Sequence, residues 1–180
     1  MQLGSGKMTI SNDSTIADAE DRASAHFRDA MSLVPSAVHI LATDGPAGLG
    51  GLTASAVVSI SDTPPTLLVS ISQTSGSVHV FRENGVFSVN VLSGRDATLA
   101  EVFAGRTGVR GAARFDHGAW RLQPPRPPIL RSAVAAFECR LTETRLIATH
   151  HVMIGAVTSA HIFAGGEEGL CYVRRQFKSV

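Results

Sequence analysis

Residues 48–92 constrain the fold more than any other part of the sequence. They open with the small-residue run Gly51-Leu52-Thr53-Ala54-Ser55-Ala56, and two strand-like runs follow at residues 66–72 and 85–92. A wall of Thr, Ala and Ser lets a flat ligand lie close to the backbone, because no large side chain intervenes. The turn at residues 73–77 offers hydroxyls, an amide and a glycine, whose O–H and N–H groups are able to bind a phosphate. The stretch therefore indicates a site for a nucleotide-type cofactor.

Short strand-like runs and few helices continue along the chain. Thr15 is predicted to cap a helix that ends near Leu33, with Phe27 and Met31 on an apolar face that packs against another surface. Four prolines within residues 124–128 remove ladder donors, so this segment is not a central strand. Many short strands indicate a mainly β fold, an antiparallel barrel with a few flanking helices. The predicted strands cover residues 37–43, 51–61, 66–72, 86–92, 134–144, 151–163 and 170–174, and the predicted short helices residues 77–84 and 97–104.

The length of the chain favours one domain. At about 100–200 residues per domain, 180 residues suit a single unit, which we place at residues 15–180 behind a flexible leader at residues 1–14. Residues 1–7 read as an added leader, with Met8 as the natural start. A net charge of +1 gives no general attraction to nucleic acid or to an anionic membrane. Aromatic residues make up 6% of the chain, and we find no stacking platform for single strands.

The two cysteines, Cys139 and Cys171, indicate neither a disulfide framework nor a metal site. They do not form a CxxC pair or a Cys/His ligand spacing. The N-terminus lacks a cationic segment followed by an apolar run, and no stretch is apolar and long enough to span a bilayer. These observations predict reduced thiols, no bound metal and a cytoplasmic location.

A series of short motifs follows in a fixed order along residues 27–177. Their order and spacing resemble those of the short-chain flavin reductases, the reductase components of two-component monooxygenases. The resemblance implies a split β-barrel, with the flavin at the interface of a homodimer. The motifs are Thr53-Ala54-Ser55-Ala56, Asp62-Thr63-Pro64-Pro65, residues 87–92, Phe103-Ala104-Gly105, Phe115, Trp120, Phe137-Glu138-Cys139, residues 150–155, Tyr172 and Arg174.

The resemblance also implies an activity. Hydride would pass from NADH or NADPH to FMN or FAD, and the reduced flavin would leave for a partner monooxygenase. Flavin chemistry asks little of protein side chains, because the ring itself accepts the hydride and the protein supplies binding and orientation. The sequence distinguishes neither FMN from FAD nor NADH from NADPH.

The resemblance assigns cofactor contacts to four groups of residues. Each group has a plain structural alternative: a strand pleat, a helix cap, a helix that ends at glycine, or an arginine in solvent. Where the family often has Asn and a run of serines, this chain has Ser72 and Gly76. The expected contacts are Thr53, Ala54, Ser55 and Ala56 at the flavin ring; Ser72, Gln73, Thr74, Ser75 and Ser77 at the ribityl chain and phosphate; Phe103, Ala104 and Gly105 closing over the flavin; and Asn90 and Arg174, the latter at the phosphate or the partner subunit.

His150 is the predicted catalytic residue. The family carries Gly-Asp-His before a strand, and this chain has Ala148-Thr149-His150, so the histidine matches and its two predecessors do not. By the resemblance, the imidazole would lie near the nicotinamide and donate a hydrogen bond there. Residues adjacent on a strand point to opposite faces, so His151 cannot serve the same site. Where the family often has an acid after the glycine of this strand, the chain has Ala156. The structural alternative for His150 is a strand-entrance histidine bonded to backbone.

Three alternatives stay open at this point. One is a flavin-dependent reductase of cob(II)yrinic acid a,c-diamide, a corrinoid substrate of aerobic cobalamin synthesis. Another is a flavin-binding protein without turnover, and a third is the related pyridoxamine-oxidase-type barrel as the fold. The glycines at residues 45–51 do not form GxGxxG between a strand and a helix, so a Rossmann nicotinamide site is not expected.

Overall fold

The computed structural model describes residues 12–163 and 168–180 of the chain. The chain divides into two compact units, Met1–Val34 and Pro35–Val180. All of the described strands lie in the second unit. Within the described residues, no helix combines the length and the apolar character that a bilayer crossing needs.

The first unit contains helix α1 (Asn12–Met31). The helix begins three residues before Thr15, the predicted cap, and it crosses the predicted boundary between leader and domain. The start of the predicted leader, residues 1–11, lies outside the described residues. The side chains of Phe27 and Met31 are 66% and 47% exposed. Periodicity predicted a packed face here, and in the single chain that face is open to solvent.

The second unit is built from short strands and two short helices. Residues 105–119, for which no helix or strand was predicted, contain a 3₁₀ turn at Gly111–Asp116. The helices are α2 (Val78–Asn84) and α3 (Ala97–Phe103). The strands are β1 (Ser36–Ala37), β2 (His39–Thr43), β3 (Gly50–Ala54), β4 (Val57–Asp62), β5 (Pro65–Ser72), β6 (Val86–Val91), β7 (Trp120–Gln123), β8 (Arg126–Leu130), β9 (Ala135–Ile147), β10 (His150–Ile162), β11 (Leu170–Val173) and β12 (Gln176–Ser179).

The strands form one large antiparallel sheet and two small ones. The large sheet has seven strands in the order β3-β2-β6-β9-β10-β5-β4, and the small sheets are β1-β11-β12 and β7-β8. The predicted mainly β antiparallel fold is confirmed, and the arrangement is consistent with a split barrel. The proline-rich segment lies in the peripheral β7-β8 pair, as its missing N–H donors require. The sequence prediction missed β12.

Two apolar clusters cover the two faces of β2, which is buried along its whole length. Ile40 and Ala42 pack in one cluster with α3, and Leu41 packs in the other with Phe81 and Phe87. Because both faces of β2 are buried, its central residues Ile40, Leu41 and Ala42 are all apolar. In β5, by contrast, buried and part-exposed residues alternate. The core therefore holds β2 rigidly, and β3 is paired to it.

The two edge strands of the large sheet are neighbours in sequence. They are β3 and β4, and only Ser55 and Ala56 separate them. The sequence predicted one strand over residues 51–61, but these two residues form a break between two strands. At the break, the Ser70 amide donates to the Ala56 carbonyl at 3.0 Å. Among the described strands, only β2 pairs with β3, so the other edge of β3 has no strand partner.

Candidate functional site

A cavity of about 710 Å³ lies along the unpaired edge of β3. Residues of β3 and its flanks form its floor, the turn between β5 and α2 forms one wall, and the end of α3 with the following 3₁₀ turn forms another. His150, at the start of β10, also lines it. An edge strand presents unpaired backbone N–H and C=O groups. Backbone donors and acceptors are therefore available along the floor.

Glycines bring β3 close to the elements on both of its faces. A Cβ on Gly51 would lie 2.8 Å from Phe103 Cε1 and 2.9 Å from Phe115 Cζ. A Cβ on Gly50 would point to the other face and lie 3.1 Å from Val80 Cγ1 on α2. The small residues of this strand are therefore required by packing as well as by the shape of the cavity.

The next residues of the floor divide between structural and open positions. The Thr53 hydroxyl donates to the Ala100 carbonyl at 2.7 Å, so it fastens β3 to α3. Ala54 is 8% exposed and belongs to the core. Ser55 and Ala56 are exposed at the break between the edge strands. The part of the floor that is accessible to a ligand is thus formed by two small residues, Ser55 and Ala56.

The turn between β5 and α2 carries closely spaced hydroxyls. Ser72 Oγ and Thr74 Oγ1 lie 2.9 Å apart, and the Thr74 amide donates to Ser72 Oγ at 3.3 Å. The Ser77 amide donates to Ser75 Oγ at 3.4 Å. Ser77 precedes α2, yet its side chain makes no capping hydrogen bond. These hydroxyls keep hydrogen-bonding capacity for a ligand.

His150 is held by its neighbour and by its place in the sheet. Its Nδ1 lies 3.0 Å from the Thr149 hydroxyl, which leaves Nε2 for the cavity. Its Cα pairs with Ser72 on β5, so the imidazole and the hydroxyl turn belong to one region. The Gln73 amide donates to the Thr149 carbonyl at 2.9 Å and ties the two turns together. Ala148 has a φ of 50°, a left-handed conformation that favours glycine, the residue common in the family here.

His151 lies on the other face of β10. Its Cα partner on β5 is Ile71, a core residue, and it stands two residues from the buried Met153. His151 does not line the cavity. Alternation along the strand therefore gives the cavity only His150 of the pair, as predicted.

Two arginines line the cavity, and among residues 12–163 and 168–180 its lining contains no carboxylate and no lysine. Arg114 is committed to the protein, because it donates from Nη1 to the Gly51 carbonyl at 3.0 Å and from Nε to the Val109 carbonyl at 3.2 Å. Arg110 is exposed at the start of the 3₁₀ turn. The charged side chains of the lining are thus both cationic.

A smaller cavity adjoins the first. Its volume is about 160 Å³, and it shares Thr53, Ala54, Ser55 and Ala104 with the larger one. Arg106 borders it, with its guanidinium 3.0 Å from Glu101 Oε1 and 3.3 Å from the Tyr172 hydroxyl. The hydrogen bond to Tyr172 raises the pKa of Arg106, which stays fully charged. The two cavities are therefore neighbours on either side of these shared small residues.

Eleven of the fifteen predicted site residues line the large cavity. They come from β3, the hydroxyl turn, the end of α3 and the start of β10, segments up to about one hundred residues apart in sequence. They are Thr53, Ala54, Ser55, Ala56, Ser72, Thr74, Ser75, Ser77, Phe103, Ala104 and His150.

The other four predicted residues do not line it. Asn90 is fully buried and its side chain hydrogen-bonds to Ile40, Ser88 and Leu130, so we correct its assignment from cofactor contact to core residue. Gly105 has a φ of 76° and ends α3, which is a conformational role. Gln73 contributes a backbone amide to the turn. Arg174 has a φ of 51° in the hairpin between β11 and β12, away from the cavity.

Sequence reasoning missed Arg110 and Arg114. Both lie in residues 105–119, for which no helix or strand was predicted. The 3₁₀ turn that brings them to the cavity has no apolar periodicity, and its packing depends on Phe115, which meets Phe103 with ring centroids 5.1 Å apart. No pattern in a single sequence marks such a turn.

Neither cysteine belongs to the cavity, and both are buried. Burial raises the pKa of the Cys139 thiol to about 12, with a smaller contribution from Glu138. The described residues contain no cluster of His, Cys, Asp or Glu arranged to hold a metal ion. The chemistry of this region is that of hydroxyls, backbone amides, arginines and one imidazole.

Known proteins resemble this chain over most of its length. The family model described as "Flavin reductase like domain" matches residues 31–180. The FMN reductase (NADH) RutF of Ancylobacter novellus is 42% identical over 154 residues, which cover 86% of this chain and 83% of that protein. The 4-hydroxyphenylacetate 3-monooxygenase reductase component of Salmonella dublin is 39% identical over 155 residues, covering 86% and 91%.

A solved flavin reductase structure has a similar fold. BorF, the flavin reductase component of a bacterial two-component tryptophan halogenase, superposes with a TM-score of 0.79 at 26% identity, over 87% of this chain and 98% of that one. The predicted family is thus confirmed by sequence and by structure. With a family model covering more than four-fifths of its residues, the chain belongs to the flavin reductase-like domain family.

Proposed function

We propose that this protein is an NADH-dependent FMN reductase that supplies reduced flavin to a partner monooxygenase. The observation that carries the proposal is the cavity on the unpaired edge of β3, with small residues on its floor and hydroxyls and cations in its walls. Relatives that share about two-fifths of its residues are named as NADH-dependent FMN reductases. We further propose that the enzyme works in the cytoplasm.

The residues of the cavity fit a flavin. A planar ring would lie against Ser55 and Ala56, where no large side chain intervenes, and the edge of β3 would offer backbone donors to its polar atoms. Ser75, Ser77 and Thr74 would hold the phosphate through hydroxyl and amide groups. When bound, the flavin supplies a nitrogen that accepts a hydride, and the protein supplies position and orientation.

We assign His150 the role of orienting the hydride donor. The Thr149 hydroxyl lies 3.0 Å from Nδ1, so Nε2 would be free to bond the polar edge of a ring bound in the cavity. A hydrogen bond from this position would align a nicotinamide carboxamide over the flavin. The adjoining 160 Å³ cavity gives further room beside the ring.

We also propose a homodimer. Directly paired residues of antiparallel strands share a face, and the pairs Val58–Leu68 and Leu68–Ile154 place an apolar row across β4, β5 and β10. Val58 and Ile60 are 55% and 51% exposed. This face is the one that carries His150, so a second copy seated on it would lie beside the cavity.

The proposal is tested by NADH oxidation at 340 nm with excess FMN. We expect the purified protein to oxidise NADH in proportion to enzyme concentration and far faster than FMN alone. A rate equal to that of FMN alone would contradict the proposal. Adding a cobalt(II) corrinoid as electron acceptor tests the alternative function, reduction of cob(II)yrinic acid a,c-diamide. That function requires the corrinoid to accelerate NADH oxidation.

The role of His150 is tested by His150→Ala, with His151→Ala as the matched control on the opposite face. We expect His150→Ala to raise the KM for NADH and to lower kcat, with FMN affinity kept within a few-fold. General acid–base or orienting groups typically contribute about 10²-fold or more. Unchanged NADH kinetics in His150→Ala would remove this residue from the mechanism and leave the reductase function standing.

A further inference from the structure

We propose that Arg110 binds the 5′-phosphate of the flavin and makes the enzyme select FMN over riboflavin. The inference rests on the proposed flavin site and assigns a role to a residue that the resemblance did not include. It follows from where Arg110 lies, from how the other cation of the lining is used, and from the charge of the ligand.

Arg110 and the hydroxyl turn line the same cavity. On one face of β3, Gly50 lies against Val80 of α2, the helix that follows Ser75 and Ser77. On the other face, Gly51 lies against Phe115 of the 3₁₀ turn that follows Arg110. Both elements are therefore packed against β3, the floor of the cavity. A phosphate held at the hydroxyl turn would share this cavity with the exposed Arg110 side chain.

Arg110 is the cation of the lining with the most donors free for a ligand. Arg114 gives two of its five N–H donors to backbone carbonyls and braces the turn. Arg110 makes no side-chain cap to its own turn, and in the described residues no ion pair involves it. Among the described residues, the lining holds no carboxylate that would neutralise it. Its five N–H donors are thus available to phosphate oxygens.

The chemistry of the ligand supplies the need for this charge. Hydroxyls and amides can hydrogen-bond a phosphate but do not neutralise its negative charge. The first turn of α2, Val78–Phe81, contains no lysine or arginine. Hydrogen bonds between an arginine and a phosphate are charge-assisted and often bidentate. Riboflavin lacks the phosphate, so Arg110 would distinguish the two flavins without touching the ring.

The test compares FMN and riboflavin binding to Arg110→Ala and Arg110→Lys by quenching of flavin fluorescence, without NADH. We expect Arg110→Ala to weaken FMN binding by about 10- to 100-fold, the range of a hydrogen bond to a charged group. Riboflavin affinity should change less than about twofold, since that flavin carries no phosphate. Arg110→Lys should give an intermediate FMN affinity, because lysine keeps the charge and loses the fork geometry.

Arg126→Ala is the matched control, because Arg126 is exposed at the start of β8 and lies outside the cavity. It removes the same net charge and should leave both affinities unchanged. Equal losses for FMN and riboflavin, or no loss for either, would overturn the proposal. A loss confined to FAD would also overturn it, because that result places Arg110 at the second phosphate. A protein that binds FMN as expected yet does not oxidise NADH would instead refute the reductase function alone.

Discussion

Two polar regions of this protein, one in the core around Asn90 and one at the end of β3, differ in the partners of their hydrogen-bonding groups. In the core, the Asn90 amide donates to the Ile40 carbonyl at 3.1 Å and to Ser88 Oγ at 2.9 Å, and its carbonyl accepts from the Leu130 amide at 2.8 Å. Along the edge of β3, Ser55 is exposed and lines the cavity. The hydrogen-bonding groups of Asn90 are satisfied by protein partners, whereas the Ser55 hydroxyl is accessible to a ligand.

The arginines of the cavity repeat the same contrast. Arg114 is held by two backbone carbonyls, whereas the Arg110 side chain is exposed. Residue type therefore does not decide whether a polar group builds the fold or binds a ligand. The decisive property is whether protein partners already satisfy it. The first two of the four substitutions below test that distinction, and the other two test the structure around the cavity.

The largest effect is expected for Asn90→Ala. The substitution leaves a buried amide at Leu130 and a buried carbonyl at Ile40 without their partner, and each such group costs about 1–3 kcal/mol. We expect the free energy of unfolding to fall by about 3 kcal/mol, as measured by urea denaturation. The FMN affinity of the folded protein should stay within about twofold. Loss of FMN affinity without loss of stability would return Asn90 to the site.

Ser55→Trp should give the converse result. A large ring at this exposed position would fill the space beside β3, and FMN affinity should fall by at least about tenfold, or 1.4 kcal/mol. The free energy of unfolding should change by less than about 0.5 kcal/mol, as for other exposed positions. Ala160→Trp, an exposed position on β10 outside the cavity, is the control. Unchanged flavin binding in Ser55→Trp would place the flavin elsewhere.

The third prediction concerns His39, which pairs with Ala54 behind the floor of the cavity. Burial lowers the pKa of His39 from 6.5, and the nearby backbone of Ala54 and Ala37 opposes the shift only in part. The unfolded chain then binds a proton that the folded chain does not, so stability rises with pH. We expect the free energy of unfolding to fall as the pH drops below about 6.5, by at most about 1.4 kcal/mol per pH unit.

His39→Leu removes this titrating group and should flatten that dependence. Urea denaturation between pH 5 and pH 8 measures both proteins. If the free energy of unfolding depended on pH equally in the two proteins, His39 would not take up a proton on unfolding. FMN binding by the folded protein should not follow this titration, since His39 does not line the cavity.

The smallest effect is expected for Ala148→Gly at the turn before His150. A non-glycine residue in the left-handed region is strained by about 1–2 kcal/mol, and Ala148 has a φ of 50°. We expect the variant to be more stable by about 1 kcal/mol, part of the relief being offset by the entropy of glycine in the unfolded chain. A destabilised variant would contradict the left-handed conformation.

The sequence supported the fold and most of the site, and its omissions have physical causes. Short strand-like runs and turn residues indicated the antiparallel strands, because these signals lie within a few neighbouring residues of the sequence. The break at Ser55 and Ala56 was missed, since small residues fit equally well in a strand and outside one. Asn90 was misassigned because two of its three partners, Ile40 and Leu130, come from distant segments. Arg110 was missed because only the tertiary packing of its turn brings it to the cavity.

The most direct test of the central claim is anaerobic stopped-flow mixing of the FMN-loaded protein with NADH, with the flavin absorbance near 450 nm as the signal. We predict rapid bleaching that saturates with NADH in the wild-type protein, and only the slow rate of free flavin in Ser55→Trp at the same FMN concentration. Bleaching at equal rates in both proteins would contradict reduction at the edge of β3. Flavin that binds and stays oxidised would contradict the reductase function itself.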